Sequence, residues 1–88
     1  MTLRKELLIE MSLHEDADST RADAVVRIGD RVFRGYGRAR RNPKDPDVPR
    51  IGEELATARA LADLSHQLVH AAADNIEAIE GHEVTLSS

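Results

Sequence analysis

The stretch Val48-Pro49-Arg50-Ile51-Gly52-Glu53-Glu54-Leu55-Ala56-Thr57-Ala58-Arg59-Ala60-Leu61-Ala62-Asp63-Leu64, continued by Ser65-His66-Gln67-Leu68-Val69-His70-Ala71-Ala72, decides the fold. Ile51, Leu55, Ala58, Leu61, Ala62, Ser65, Leu68 and Ala72 recur at three- and four-residue intervals, the period of a helix with one apolar side. Glu53, Asp63, Gln67 and His70 fall on the other side. The spacing predicts a long amphipathic helix over about 51–72, and such a helix needs a sheet to cover.

The sheet is written upstream. Leu7, Ile9, Met11 and Leu13 alternate with Leu8, Glu10, Ser12 and His14, the period of two expected of a half-buried strand over about 5–14. A second alternation puts Ala22, Ala24, Val26 and Ile28 on one side of a strand over about 20–28. Gly29-Asp30 then suits a two-residue hairpin turn, and the chain returns as a third strand over about 31–40. With that turn, Ile28 opposes Arg31, Val26 opposes Phe33, Ala24 opposes Gly35 and Ala22 opposes Gly37, so buried sides meet buried sides. Gly35 and Gly37 are expected beneath the helix, where missing side chains allow close approach.

The opposite face of the hairpin carries Arg21, Asp23, Val25, Arg27, Val32, Arg34, Tyr36, Arg38 and Arg40. Guanidinium groups fork onto phosphates, and an aromatic ring stacks a base. Arg34, Tyr36, Arg38, Arg40, Arg41 and Lys44 therefore form a candidate anion- or RNA-contacting set. The plainer reading is a solvated face whose arginines pair with Asp23, Glu6 and Glu10.

All three prolines lie in the loop 41–49, which excludes strand or helix interior there. Near the end, Asp74-Asn75-Ile76-Glu77 reads as a helix cap and Gly81 as a stop, which predicts a separate short helix over about 75–80. Val84 and Leu86 share one side of the tail that follows.

With 88 residues, 41% hydrophobic and 32% charged, the chain suits a single α+β domain spanning 1–88: a three-stranded antiparallel meander on one long helix, plus the short C-terminal one. One Phe, one Tyr and no Trp leave a thin core, and the absence of Cys removes thiolate chemistry and Cys-ligated zinc. A thin core with neither disulfide nor metal points to a homodimer. No segment has signal-peptide or membrane-span character, so a cytoplasmic protein is expected. Eight basic residues against three acidic ones lie between Arg27 and Arg50, whereas the rest of the chain holds four basic and thirteen acidic. A local cationic segment is embedded in an acidic molecule.

No cluster assembles catalysis. Glu53 and Glu54 are adjacent at a helix start, where negative charge complements the dipole. The serines lack a nucleophile-elbow context, and no glycine spacing forms a phosphate loop. His66 and His70 are four apart, with Asp63 one turn earlier, the spacing of a metal-ligating helix face. The Glu that follows the first His in zincin helices is missing, so solvent-facing histidines are the simpler reading. The expectation is a protein without enzymatic activity, metal, cofactor or small-molecule substrate.

Gly35-x-Gly37-x-Ala39-Arg40-Arg41-Asn42-Pro43, Asp47-Val48-Pro49-x-Ile51-Gly52-Glu53-Glu54-Leu55 and Ala58-Arg59-Ala60-Leu61-x-Asp63-Leu64 resemble a small actinobacterial family of domains of unknown function that includes mycobacterial dormancy-associated proteins. The likeness runs from the second strand through Ile76-Glu77-Ala78. Two departures are Arg50, where the family is acidic, and Asn75, where it carries Asp; Asn caps helices as Asp does. The resemblance implies a three-stranded antiparallel sheet with a long helix, a dimer, a stress-related role and no catalytic residues. The strand order is similar to that of double-stranded-RNA-binding domains and of ribosome hibernation factors, an analogy of fold that points to RNA or the ribosome.

Overall fold

The computed structural model describes residues 2–41 and 48–81. Three strands, β1 (Ile9–Glu15), β2 (Ser19–Ile28) and β3 (Arg31–Arg40), form one antiparallel sheet in the order β1-β2-β3, followed by a single helix, α1 (Pro49–Glu80). The hairpin register is the expected one, with Val26 opposite Phe33, Ala24 opposite Gly35 and Ala22 opposite Gly37. Gly29 turns the chain at a φ of 63°, a left-handed conformation that glycine adopts without a Cβ penalty. Strand β1 begins four residues later than the alternation predicts; residues 2–8 run outside the sheet.

The separate short helix does not form. Helix α1 runs unbroken through Asp74-Asn75 to Glu80, because Ala71-Ala72-Ala73 are strong helix formers and neither Gly nor Pro interrupts them. A cap sequence acts only where the preceding turn has ended. Gly81 does stop the helix, at a φ of 76° with its N–H donating to the Glu77 carbonyl. At the other end Pro49 takes the first helical turn, where its missing N–H costs nothing. Glu53 and Glu54 consequently lie beyond the first turn, which holds no acidic residue.

The helix also packs on a different face from the one its larger apolar residues mark. Its buried residues are Ala56, Ala60, Leu64 and Ala71, while Ile51, Leu55 and Leu61 stay 55%, 45% and 39% exposed. At about 100° per residue the packed stripe is rotated by roughly a third of a turn. The cause lies in the floor beneath it. A methyl group at Gly37 would overlap the Ala56 carbonyl and the Ala60 amide, and one at Gly35 would come within 2.7 Å of the Leu64 nitrogen. Backbone meets backbone there, so Ala56 and Ala60, with Leu64 one turn on, face the sheet, and Leu55 and Leu61 do not. Ala22, Ala24, Val26 and Ala39 complete the core, with Phe33 and Leu68 at its margin.

Helix α1 lies over β2 and β3. The inner face of β1 shares the apolar side of the sheet, yet Ile9, Met11 and Leu13 remain 47%, 36% and 41% exposed. Among the described residues no helix is long and apolar enough to cross a membrane.

Candidate functional site

Alternation along β3 places Arg34, Tyr36, Arg38 and Arg40 on the outer face, away from the helix, and all four are exposed. Through the register, Arg21 stands opposite Arg38, Asp23 opposite Tyr36 and Val25 opposite Arg34. Glu10, Ser12 and His14 of β1 continue the same face. Five guanidinium groups (Arg21, Arg27, Arg34, Arg38, Arg40) thus share a surface with two carboxylates, Glu10 and Asp23. Arg41 is exposed just past the strand. Lys44 lies outside the described residues.

The centre of the face is already engaged. Asp23 accepts from Arg21 Nε at 3.1 Å and sits 3.4 Å from His14 Nε2. Arg21 also lies over the Tyr36 ring, 5.3 Å from its centroid, a cation–π arrangement. One face of that aromatic is therefore covered by a protein cation. The two candidate counter-charges behave differently from the expectation: Glu6, ahead of β1, pairs with Arg4 at 2.6 Å, and Glu10 forms no ion pair with a described arginine. Among the described residues no carboxylate comes within 4.0 Å of Arg34, Arg38 or Arg40.

Asp63 is not on the solvent side with the histidines, as its place in the periodicity suggested. Its Oδ2 accepts the Tyr36 backbone N–H at 2.8 Å. Arg59 donates to the Arg38 carbonyl at 2.7 Å and Gln67 Nε2 to the Arg34 carbonyl at 2.5 Å. Residues 59, 63 and 67 climb the helix by about 6 Å per step, and alternate residues of an antiparallel strand are separated by about 6.8 Å. The two rows stay in step, and three helix side chains close the open edge of β3. The sequence holds the signal for this, a polar i, i+4, i+8 row facing alternate strand residues, but the row is visible only once the packed face of the helix is known.

His66 and His70 meet in an edge-to-face contact with their Nε2 atoms 3.1 Å apart. Asp63 is committed to Tyr36, and the described residues contain no group of three or more metal-ligating side chains. At the start of the helix a cavity of about 420 Å³ is lined by Glu15, Asp16, Arg40, Arg41, Ile51 and Leu55 among others. Asp16 is held below the usual carboxylate range by the backbone N–H groups of Asp18 and Ser19, with Arg38 adding to the effect. Glu15 is pushed above it, by lost hydration and then by the facing Glu53 carboxylate. The cavity therefore mixes both signs of charge and selects neither.

Comparison with known proteins gives a consistent picture. The family described as Rv2632c-like matches residues 5–85. The uncharacterized protein Rv2632c of Mycobacterium tuberculosis is 41% identical over 81 residues, covering 92% of this chain and 87% of its own length. The uncharacterized protein Mb1767 of Mycobacterium bovis is 41% identical over 71 residues, covering 81% of this chain and 76% of its own. The crystal structure of Rv2632c superposes with a TM-score of 0.82 at 40% identity, over 88% of this chain and 92% of that one.

Proposed function

The chain belongs to the Rv2632c-like family, and from that premise we propose that it is a non-catalytic binding protein whose outer sheet face contacts a polyanion, with RNA, including ribosomal RNA, as the ligand. The observation that carries this reading is the row Arg34, Arg38 and Arg40, exposed on one face and without a carboxylate partner among the described residues. Guanidinium forks at positions 34, 38 and 40 of one strand face suit the bidentate geometry of phosphate. Tyr36, 54% exposed within the row, supplies a partly accessible ring beside them. Arg41 extends the row, and Lys44 joins it in this reading. In this reading the ligand is met in the cytoplasm and the role is stress- or dormancy-linked.

The test is the salt dependence of RNA binding. Fluorescence anisotropy with a labelled single-stranded RNA should give an affinity that falls steeply with salt, and Arg38→Ala with Arg40→Ala should flatten the log–log slope by about 1.5. Wild-type protein that binds no RNA at low ionic strength would reduce the row to a solvated face and leave a protein-interaction module in its place.

A further inference from the structure

We propose that the open edge of β1 pairs with the β1 edge of a second copy, antiparallel and centred on Ser12, to make a continuous six-stranded sheet. This goes beyond the RNA reading and uses none of the arginines that carry it. The argument begins with which backbone groups are free. Helix side chains bind the Arg34 carbonyl, the Tyr36 N–H and the Arg38 carbonyl, so these even-numbered residues of β3 point away from β2. In an antiparallel ladder a residue directs its N–H and C=O to the same side. Working across the register, Arg21, Asp23 and Val25 of β2 bond to His14, Ser12 and Glu10. The Asp16 N–H donating to the Ser19 carbonyl continues that parity. Ile9, Met11, Leu13 and Glu15 are left with N–H and C=O directed at the edge that no described strand covers.

A long uncovered edge beside apolar side chains is what proteins avoid leaving bare. Here Ile9 also lines an apolar groove of about 440 Å³ with Leu61, Leu64, Leu68, Val69 and Ala72. The occupant is a second copy because β1 is self-complementary. A two-fold axis at Ser12, the midpoint of Ile9–Glu15, overlaps the whole strand with its mate. It places Met11 opposite Leu13 and Ile9 opposite Glu15, the residues whose backbone groups are free, so the ladder bonds form in full. On the outer face it places Glu10 opposite His14 twice, an acid against a base. Registers centred on Met11 or Leu13 shorten the overlap and separate Glu10 from His14. Met11 and Leu13 thus meet on the inner face and Glu10 and His14 on the outer one.

Only one outer-face residue meets itself across this axis. Because the chain contains no cysteine, Ser12→Cys should form an intermolecular disulfide under mild oxidation, as cross-strand neighbours about 4.5–5.5 Å apart permit. Glu10→Cys should cross-link at least tenfold more slowly. Wild-type protein should sediment at twice 9.7 kDa at tens of micromolar. Charge exchange reads the register a second way: His14→Glu alone should weaken the dimer, and the Glu10→Lys/His14→Glu double variant should restore it. A species of 9.7 kDa alone would overturn the proposal. So would equal cross-linking at positions 10 and 12, or a double variant no better than His14→Glu.

Discussion

Strands β3 and β1 are both edges of the same sheet, and the molecule treats them in opposite ways. Along β3, Gly35 and Gly37 let the helix backbone descend onto the sheet, and Arg59, Asp63 and Gln67 take up the outward-facing carbonyls and N–H. Along β1 no helix descends: Ile9, Met11 and Leu13 stay partly exposed, and the apolar groove lies between them and the helix. One edge is bonded by helix side chains at three points, and the other is covered by no described strand or helix. The difference follows from residue size. Glycines draw the helix toward β3, and a helix drawn there cannot also cover β1.

The largest effect is expected from removing the close approach. Gly37→Val puts a branched side chain where the Ala56 carbonyl and Ala60 amide already sit, so the helix must lift from the sheet. Overpacking typically costs about 1–3 kcal/mol when side chains can yield, and here the obstruction is backbone. A loss at or above that range is expected in urea unfolding. A variant within about 0.5 kcal/mol of wild type would mean that the helix does not rest on this strand.

A smaller effect should follow from unsealing the β3 edge. Asp63→Ala leaves the Tyr36 N–H without its charged acceptor, and bonds to charged groups contribute about 1.5–3 kcal/mol. Water can reach this half-exposed site, so a loss of about 1–2 kcal/mol is expected by chemical denaturation. Hydrogen exchange at the Tyr36 amide should speed up more than at Gly35 or Gly37, whose amides face β2. Equal acceleration at all three would indicate global destabilisation and no role for Asp63 at the edge.

The strands and their pairing were legible because period-two alternation on both sides of Gly29-Asp30 admits one register that matches buried faces. The glycine floor was legible for the same reason. The packed face of the helix was not, since Ile51, Leu55 and Leu61 carry more apolar surface than Ala56 and Ala60 and so dominate any reading by periodicity. Small residues win only when the opposing surface is backbone, a fact about the partner strand. Asp74-Asn75 misled in a related way: a cap motif is a local preference, and the alanines before it propagate the helix through it. The arginine row followed directly from the strand alternation, whereas the Arg21–Tyr36 stacking and the Asp63–Tyr36 bond needed the folded chain.

The smallest effect belongs to the turn between β1 and β2, where two neighbouring carboxyls are shifted in opposite directions. Asp16 accepts the Asp18 and Ser19 N–H groups at 2.8 Å each, and these bonds hold its carboxyl below the ordinary range. A lowered folded value means stability that is present above the unfolded pKa, about 4, and is lost as pH falls through the folded value. Glu15 is raised, by lost hydration first and by Glu53 second. The folded state therefore favours its protonated form, and that contribution is present below the unfolded pKa and lost as pH rises through the folded one. Glu15→Gln mimics the protonated form permanently. It should melt above wild type at pH 7 and match it below about pH 4, while Asp16→Asn should melt below wild type at pH 7 and converge with it only in stronger acid. Melting curves from pH 7 to pH 3 test both signs at once. A Glu15→Gln variant that melts lower than wild type at neutral pH would show that the carboxylate stabilises this turn instead of straining it.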